Sequence, residues 1–339
     1  MNALIQTPGQ FMAQNGGIPA GPNVTQILLA NNMDVQALRT NATTLLPKLA
    51  GERLDAAIAR VARARMNAMA DLRNAGLFVP NGGIGTKLHE YQRMSDTGTA
   101  TVSMDPAAMG SRDRNEFDTV ATPVPIISCP FSFSIRDLDA ARQRGVALDT
   151  TQAESATRRV IEAIENMIIN GHSITVSSAS IYGYRSAPHR VTGTATGPWN
   201  DPQAGAGNII KTIAAMLAAA SAVNHFGPFV LYVSNAEYEL FEQPLDVTNY
   251  NKSVREYVLA NPRISAIKPT LSMTAGECAM VELTSETVDM SLGVDVMMIP
   301  WNEYAGLVSH YMVMACMAPR VKSDFNDQCG VVHYTGLAA

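Results

Sequence analysis

The stretch from Thr150 to Gly171, T-T-Q-A-E-S-A-T-R-R-V-I-E-A-I-E-N-M-I-I-N-G, constrains the fold more than any other. Thr151 followed by Glu154 is a capping-box pattern, in which a hydroxyl and a carboxylate each accept an otherwise orphaned backbone N–H. Ala153, Ala156, Val160, Ile164 and Met167 then recur at helical spacing, and Ile161 and Ile168 widen the apolar stripe. Arg158, Arg159, Glu162 and Glu165 are expected largely on the other, solvated side, and Asn170-Gly171 supplies a left-handed stop. At 1.5 Å per residue the helix spans roughly 30 Å, the width of a small domain. It is a spine along which neighbouring segments must pack.

Upstream, residues 1–23 carry Pro8, Gly9, Gly16, Gly17, Pro19, Gly21 and Pro22 among few large apolar groups, and only short apolar clusters follow as far as Leu49. Residues 1–50 are therefore expected to be an arm that orders against another surface, with one or two short helices after Val24. Within 51–82, Glu52 to Asn74 has helical periodicity through Leu54, Ile58, Val61, Ala64, Ala68 and Leu72, with Gly76 as its stop. Arg53, Arg60, Arg63, Arg65 and Arg73 make this helix locally basic.

Residues 83–122 change character. Gly, Asp, Thr, Ser and Arg dominate, and alternation such as Thr99-Ala100-Thr101-Val102-Ser103-Met104 points to the two strands of a long hairpin. Such a β-arm is stable only against a partner surface. Gly82-Gly83-Ile84-Gly85-Thr86-Lys87 lacks phosphate-loop spacing and is expected to be a hinge. Pro123 to Ile135 reads as a strand, Arg136 to Arg144 as a short helix, and the segment from Tyr182 to Pro202 as a connection carrying Trp199.

At Gly205 a second, α/β unit begins. An Ala-rich helix (Ile209 to Val223), a buried strand (Pro228 to Val233), a short helix (Ala236 to Phe241) and another from Val254 to Leu259 come first. Strands follow at Cys278 to Leu283, Val288 to Leu292 and Val294 to Ile299. Leu307 to Ala318 and Gly330 to Tyr334 are again strand-like and are expected beside the strand at Ile126 to Ile135, which makes residues 205–300 an insertion. The fold class is α+β.

A chain of 339 residues, 47% hydrophobic and 16% charged, can bury a large core. Its net charge of -5 argues against gripping nucleic acid through a strongly basic surface. Cys129, Cys278, Cys316 and Cys329 have no C-x-x-C pair and are expected to be small buried hydrophobes rather than a disulfide framework. No run of about 18 apolar residues signals membrane insertion. The six histidines lack metal-site spacing, and no nucleophile motif occurs. Asp137 with Asp139, or Glu162 with Glu165, are expected to be solvated charges. No catalytic residue, metal or cofactor is expected, and an enzyme would have to assemble its site from scattered polar residues.

This order of elements resembles the major capsid proteins of tailed bacteriophages, the Hong Kong 97 fold shared with encapsulin shells. The residues that carry the resemblance are P-F-S-F-S-I-R-D-L-D-A-A-R-Q-R-G at 130–145 leading into the spine, G-P-F-V-L-Y-V at 227–233 followed by Asn235 and Tyr238, and Asn249-Tyr250-Asn251 through Val254 to Arg263. It covers residues 50–335 in order. The resemblance implies an N-terminal arm (1–50), a basic helix (51–82), an E-loop hairpin (83–122), a P-domain (123–204, spine 151–170), an inserted A-domain (205–300) and P-domain return strands (301–339). It implies a subunit that self-assembles into pentamers and hexamers of an icosahedral virion shell enclosing a phage genome, built in the bacterial cytoplasm. The alternative within the fold is an encapsulin-type nanocompartment.

By the same resemblance, Arg112, Asp113, Arg114 and Glu116 are either pairing groups across the E-loop interface or solvated charges. Asp246, Asn249, Tyr250 and Asn251 would approach the capsomer axis. Arg53, Arg60 and Arg63 either face packaged DNA through weak non-specific contact or form a solvated helix face. Implied partners are other copies, with separate scaffolding, portal and decoration proteins plausible. Some family members weld subunits through an E-loop lysine. Here no lysine lies between Lys87 and Lys211, so no such bond is expected.

Overall fold

The computed structural model describes residues 67–98, 100, 102, 104, 114–134, 136, 151–201, 204–245, 252–303 and 308–338. The chain divides into two units: residues 1–53, 131–151 and 300–311 in one, and residues 54–130, 152–299 and 312–339 in the other.

The larger unit is built on helix α2 (Thr151–Asn170). Ala153, Ala156, Val160, Ile161, Ile164, Met167 and Ile168 are all buried, as their spacing requires. Gly171 follows with φ +77°, and its N–H donates to the Met167 carbonyl at 2.9 Å. Before it lies helix α1 (Asn67–Asn74), at the end of the stretch expected to be the basic helix, and Gly76, at φ +69°, follows it as expected. Strand β1 (Phe78–Pro80) then leads to the glycine hinge, where Gly82 and Gly83 have φ +90° and +100°. Hairpin strands β2 (Leu88–Met94) and β3 (Phe117–Pro123) follow, then β4 (Ile126–Ser134). The hairpin exists, but its described ladder flanks the run expected to form it: Ala100, Val102 and Met104 are not in a strand.

After α2 come β5 (His172–Val176), β6 (Ala179–Ile181) and β7 (Val191–Thr194). Helix α3 (Gly205–Ala222), β8 (Phe229–Val233), α4 (Asn235–Glu239), a single 3₁₀ turn, α5 (Val254–Leu259), β9 (Ile264–Pro269) and β10 (Glu277–Glu282) follow. The long strands β11 (Val288–Glu303) and β12 (Val308–Val321) and the short β13 (Val331–Thr335) complete the order. Among the described helices only α3 is long and apolar enough to cross a membrane; its apolar face, with Ile209, Ile213, Met216 and Leu217, is spent on the core of the five-stranded sheet.

Among the described residues the two larger sheets are ordered β7-β13-β10-β8-β9 and β1-β11-β12-β4, beside the two-stranded β2-β3 and β5-β6. β12 lies beside β4 as expected, but β13 does not. It sits between β10 (antiparallel) and β7 (parallel), because its run of buried residues needs cover on both faces and finds it in the core containing Met216, Leu231 and Cys278. The segments 288–292 and 294–299 are one strand, β11, in the four-stranded sheet rather than two in the inserted unit. Gly293, between the two segments, sits at a close approach: a Cβ on it would lie 3.1 Å from Asn81 Oδ1, Cys316 Sγ and the Gly83 carbonyl. The connection from Tyr182 to Pro202 contributes β7 and the fully buried Trp199, and β9 carried no recognised signal. The smaller unit holds the β4, β11 and β12 residues 131–134, 300–303 and 308–311. In it Phe131 stacks on Tyr311 at 5.4 Å and Trp301 on His310 at 5.2 Å. Apart from Arg136, the short helix expected at 136–144 lies outside the described residues.

Candidate assembly surfaces

The β2–β3 hairpin runs in register from Leu88 opposite Pro123 to Met94 opposite Phe117. Its base is held by charge. On β11, Asp289 is 1% exposed and accepts from Arg320 Nε and a second guanidinium nitrogen at 2.6 Å each, with Lys322 Nζ also at 2.6 Å. Arg320, 4% exposed, and Lys322 lie 6.0 and 5.8 Å from the centroid of the Tyr91 ring on β2. His89 Nδ1 is 2.8 Å from Ser291 Oγ, and burial together with the nearby Arg320 cation lowers its pKa. Two residues further out, Arg93 donates to Asp118 at 2.5 Å, Asp327 at 3.0 Å, Ser323 at 3.0 Å and the Asp324 carbonyl at 3.2 Å. The Arg93 hydrogen bond holds the Asp118 carboxyl below its usual range.

At the far end of the described ladder Met94 and Phe117, opposite one another, are 55% and 66% exposed. Val102 and Met104, between them in sequence, and Ile84 in the hinge are exposed too. The Ser95 N–H donates to the Glu116 carbonyl at 2.9 Å and the Glu116 N–H to Ser95 Oγ at 2.8 Å, which extends the pairing past Met94.

Of the residues singled out in the sequence, Arg114 and Glu116 are exposed at the start of the return strand. Arg112, Asp113, Arg53, Arg60, Arg63, Asp246, Asn249, Tyr250 and Asn251 lie outside the described residues. The base of the loop carrying the last four is closed by bonds from Leu245 N–H to the Lys252 carbonyl at 2.9 Å and from Val254 N–H to the Gln243 carbonyl at 3.0 Å. Ser253 caps α5 by accepting the Glu256 N–H at 3.2 Å, and Arg255 pairs with Glu242 at 2.9 Å while stacking over Tyr238.

Sequence reasoning missed the ion cluster at Asp289, and it placed Glu165 wrongly. Glu165 is 3% exposed, not a solvated charge: its two oxygens accept the N–H groups of Ala68 and Met69 at 3.0 Å each. The spine carboxylate thus ties α2 to two backbone N–H groups of α1. The four cysteines are free thiols; Cys278, Cys316 and Cys329 are buried and Cys129 is half-buried. Among the described residues no group of three or more His, Cys, Asp or Glu side chains could hold a metal.

A model described as a family of unknown function, DUF6260, matches residues 41–334. The chain belongs to the DUF6260 family. No curated protein matches this DUF6260 chain. Among solved structures it is similar to the virus-like particle from Pyrococcus furiosus (TM-score 0.57, 16% identity, 84% of this chain and 98% of that one). It is also similar to the capsid of Myoviridae phage XM1 (0.60, 15%, 78% and 91%) and to the capsid of a native GTA particle (0.55, 14%, 80% and 91%). At these identities the likeness is one of fold, and the fold of this DUF6260 member is the Hong Kong 97-like capsid fold.

Proposed function

We propose that this DUF6260 protein is a shell subunit whose copies assemble into pentamers and hexamers and close an icosahedral capsid around a phage genome. The observation that carries the proposal is the exposed Met94–Phe117 pair on a hairpin whose base is clamped by buried ions. Burying a side chain of this size against a neighbour contributes about 1.5–3 kcal/mol, and a closed shell repeats that modest contact many times.

In this reading residues 83–122 are the E-loop, lying on a neighbouring subunit, with Arg112, Asp113, Arg114 and Glu116 at that interface. Residues 1–50 are the N-terminal arm, and 51–82 bring Arg53, Arg60 and Arg63 toward packaged DNA. Residues 123–204 and 301–339 form the P-domain, and 205–300 the A-domain, whose loop at Asp246, Asn249, Tyr250 and Asn251 approaches the capsomer axis. β11 is counted with the P-domain sheet, and β7 and β13 with the A-domain sheet. Separate scaffolding, portal and decoration proteins complete the particle, which is built in the bacterial cytoplasm.

An encapsulin-type nanocompartment is the second reading, favoured by the near-complete coverage of the Pyrococcus furiosus particle chain. Negative-stain microscopy and sedimentation of the purified protein test the shell: closed particles or capsomers are expected, and small discrete oligomers alone would overturn it. Nucleic acid inside particles isolated from the native source supports the phage reading, and protein cargo the second. Replacing Met94 and Phe117 together by serine should abolish particles while changing subunit unfolding far less, since more than half of each residue is already exposed.

A further inference from the structure

Where the chain leaves β1 for the hairpin it carries the dipeptide Asn81-Gly82. A glycine after an asparagine has no Cβ to shield its nitrogen, so that nitrogen can close a five-membered ring on the side-chain amide before it. The described residues hold two such pairs, and their surroundings are opposite. At Asn170-Gly171 the Gly171 N–H is committed to the Met167 carbonyl at 2.9 Å. The Asn170 side chain is pinned by the Ser272 carbonyl and Asn166 at 2.8 Å each and by Arg185 at 3.2 Å. At the hinge, Gly82 is exposed at φ +90°, and its N–H has no hydrogen-bond partner among the described residues.

Each reacting atom of the hinge pair is met by a group that favours ring closure. Thr86 Oγ1 donates to the Asn81 main-chain carbonyl at 2.7 Å, which draws electrons from the peptide group and makes the Gly82 N–H easier to deprotonate. The Gly83 N–H donates to Asn81 Oδ1 at 3.3 Å, the oxygen on which negative charge develops when Cγ is attacked. Asn81 Nδ2, the leaving nitrogen, donates to Ser291 Oγ at 2.8 Å, and that oxygen is 2.8 Å from His89 Nδ1. The Asn81 N–H is bonded to the Leu292 carbonyl at 3.0 Å, which holds the residue against β11.

We infer that Asn81 is a self-processing site, which deamidates in the folded protein with the help of Thr86, Gly83 and Ser291. Gly82 N gives its proton to water and bonds to Asn81 Cγ, and the bond from Cγ to Nδ2 then breaks. Once Cγ is tetrahedral, Nδ2 has a basic lone pair; it takes the Ser291 hydroxyl proton and leaves as ammonia. The His89 ring, in its cationic form, returns a proton to Ser291, with Asp289, Arg320 and Lys322 as the charged groups that face it. Water opens the succinimide to aspartate or isoaspartate. One water is consumed and one ammonia released, and no other reactant is needed.

The product alters the hinge. A carboxylate at position 81 has no N–H to give Ser291 and brings negative charge to β11 two residues from Asp289. Isoaspartate also lengthens the main chain by a methylene just where Gly82 and Gly83 turn it. Each copy is thus changed irreversibly at the base of its hairpin, whether or not it belongs to a shell.

Incubating the purified protein in oxygen-18 water between pH 6 and 8, beside a synthetic peptide of residues 77–87, and mapping the products by mass spectrometry tests it. Labelled conversion of amide to acid should occur at Asn81 about tenfold or more faster than in the peptide, with Asn170 intact. Asn81 that stays intact, or reacts no faster than the peptide, would overturn the inference. Ser291→Ala should bring the folded rate down toward that of the peptide, and an unchanged rate would remove Ser291 from the reaction. Should that variant fail to fold, His89→Gln decides. The ratio of wild-type to variant rate should grow as pH falls from 8 to 6, because only the imidazolium returns the proton; a ratio of one at every pH refutes the relay.

Discussion

Replacing Asp289 by asparagine removes the one anion that Arg320 and Lys322 share beneath the hairpin. The guanidinium makes two bonds of 2.6 Å to it, and Lys322 a third contact of 2.6 Å, with Asp289 1% and Arg320 4% exposed. The amide occupies the same volume but leaves two cations without a counter-charge, one of them almost wholly out of water. Removing one partner of such a buried pair costs about 3–5 kcal/mol, most of it the burial of the orphaned charge. Denaturant unfolding of unassembled subunits measures it, with Asp295→Asn as control. Asp295 pairs with Arg73 at the surface with about half of each side chain in water, and such pairs contribute about 0–1 kcal/mol. Combining Asp289→Leu with Arg320→Met and Lys322→Met should regain much of the loss, because a matched apolar set carries no desolvation penalty. A loss from Asp289→Asn no larger than that of the control would refute the reasoning and mean that water reaches the cluster.

The remaining predictions concern titration, thiols and crosslinking. Burial lowers the pKa of His333, against the opposing pull of Glu277, and that of His89 in the same direction. The folded state therefore binds fewer protons than the unfolded one below about 6.5, and this part of the stability is lost as pH falls through that range. Because burial pushes the Glu165 carboxyl up to about 7 and so shifts stability the other way, the loss should stand out in Glu165→Gln; an unfolding midpoint unchanged between pH 7 and 5.5 in that variant would contradict it. Burial raises the Cys278 thiol far above its ordinary value and Cys329 to about 11. A thiol reagent should thus modify half-buried Cys129 first and reach Cys278, Cys316 and Cys329 only on unfolding; mass-spectrometric mapping that finds Cys278 labelled in native protein would refute this. With Lys87 the last lysine before Lys211, denaturing electrophoresis of assembled particles should show a single subunit band near 36.3 kDa, and a ladder would reveal covalent linkage.

The sequence by itself determined those features whose cause lies within a few residues. The seven apolar positions of α2, its stop at Gly171, the Ala-rich α3, the buried strand β8 and the stop at Gly76 all follow from periodicity and backbone preference that neighbouring residues encode. The order of such elements was enough to point to the capsid fold. Only the tertiary structure decided which strands lie side by side and which charges leave water. β13 looks like any apolar run until β10 and β7 flank it, and β11 crosses Gly293 unbroken because Cys316 and Asn81 crowd that point. Glu165 sits at a spacing that leaves it on the edge of the apolar stripe, and where it is buried both its oxygens meet N–H groups of α1, 97 and 96 residues away. Asp289 and Arg320, 31 residues apart, are likewise unremarkable as sequence and become a clamp only where β11 and β12 lie side by side. A helix is written in local repeats, whereas strand partnership and the burial of a charge depend on groups that the chain brings together from far apart.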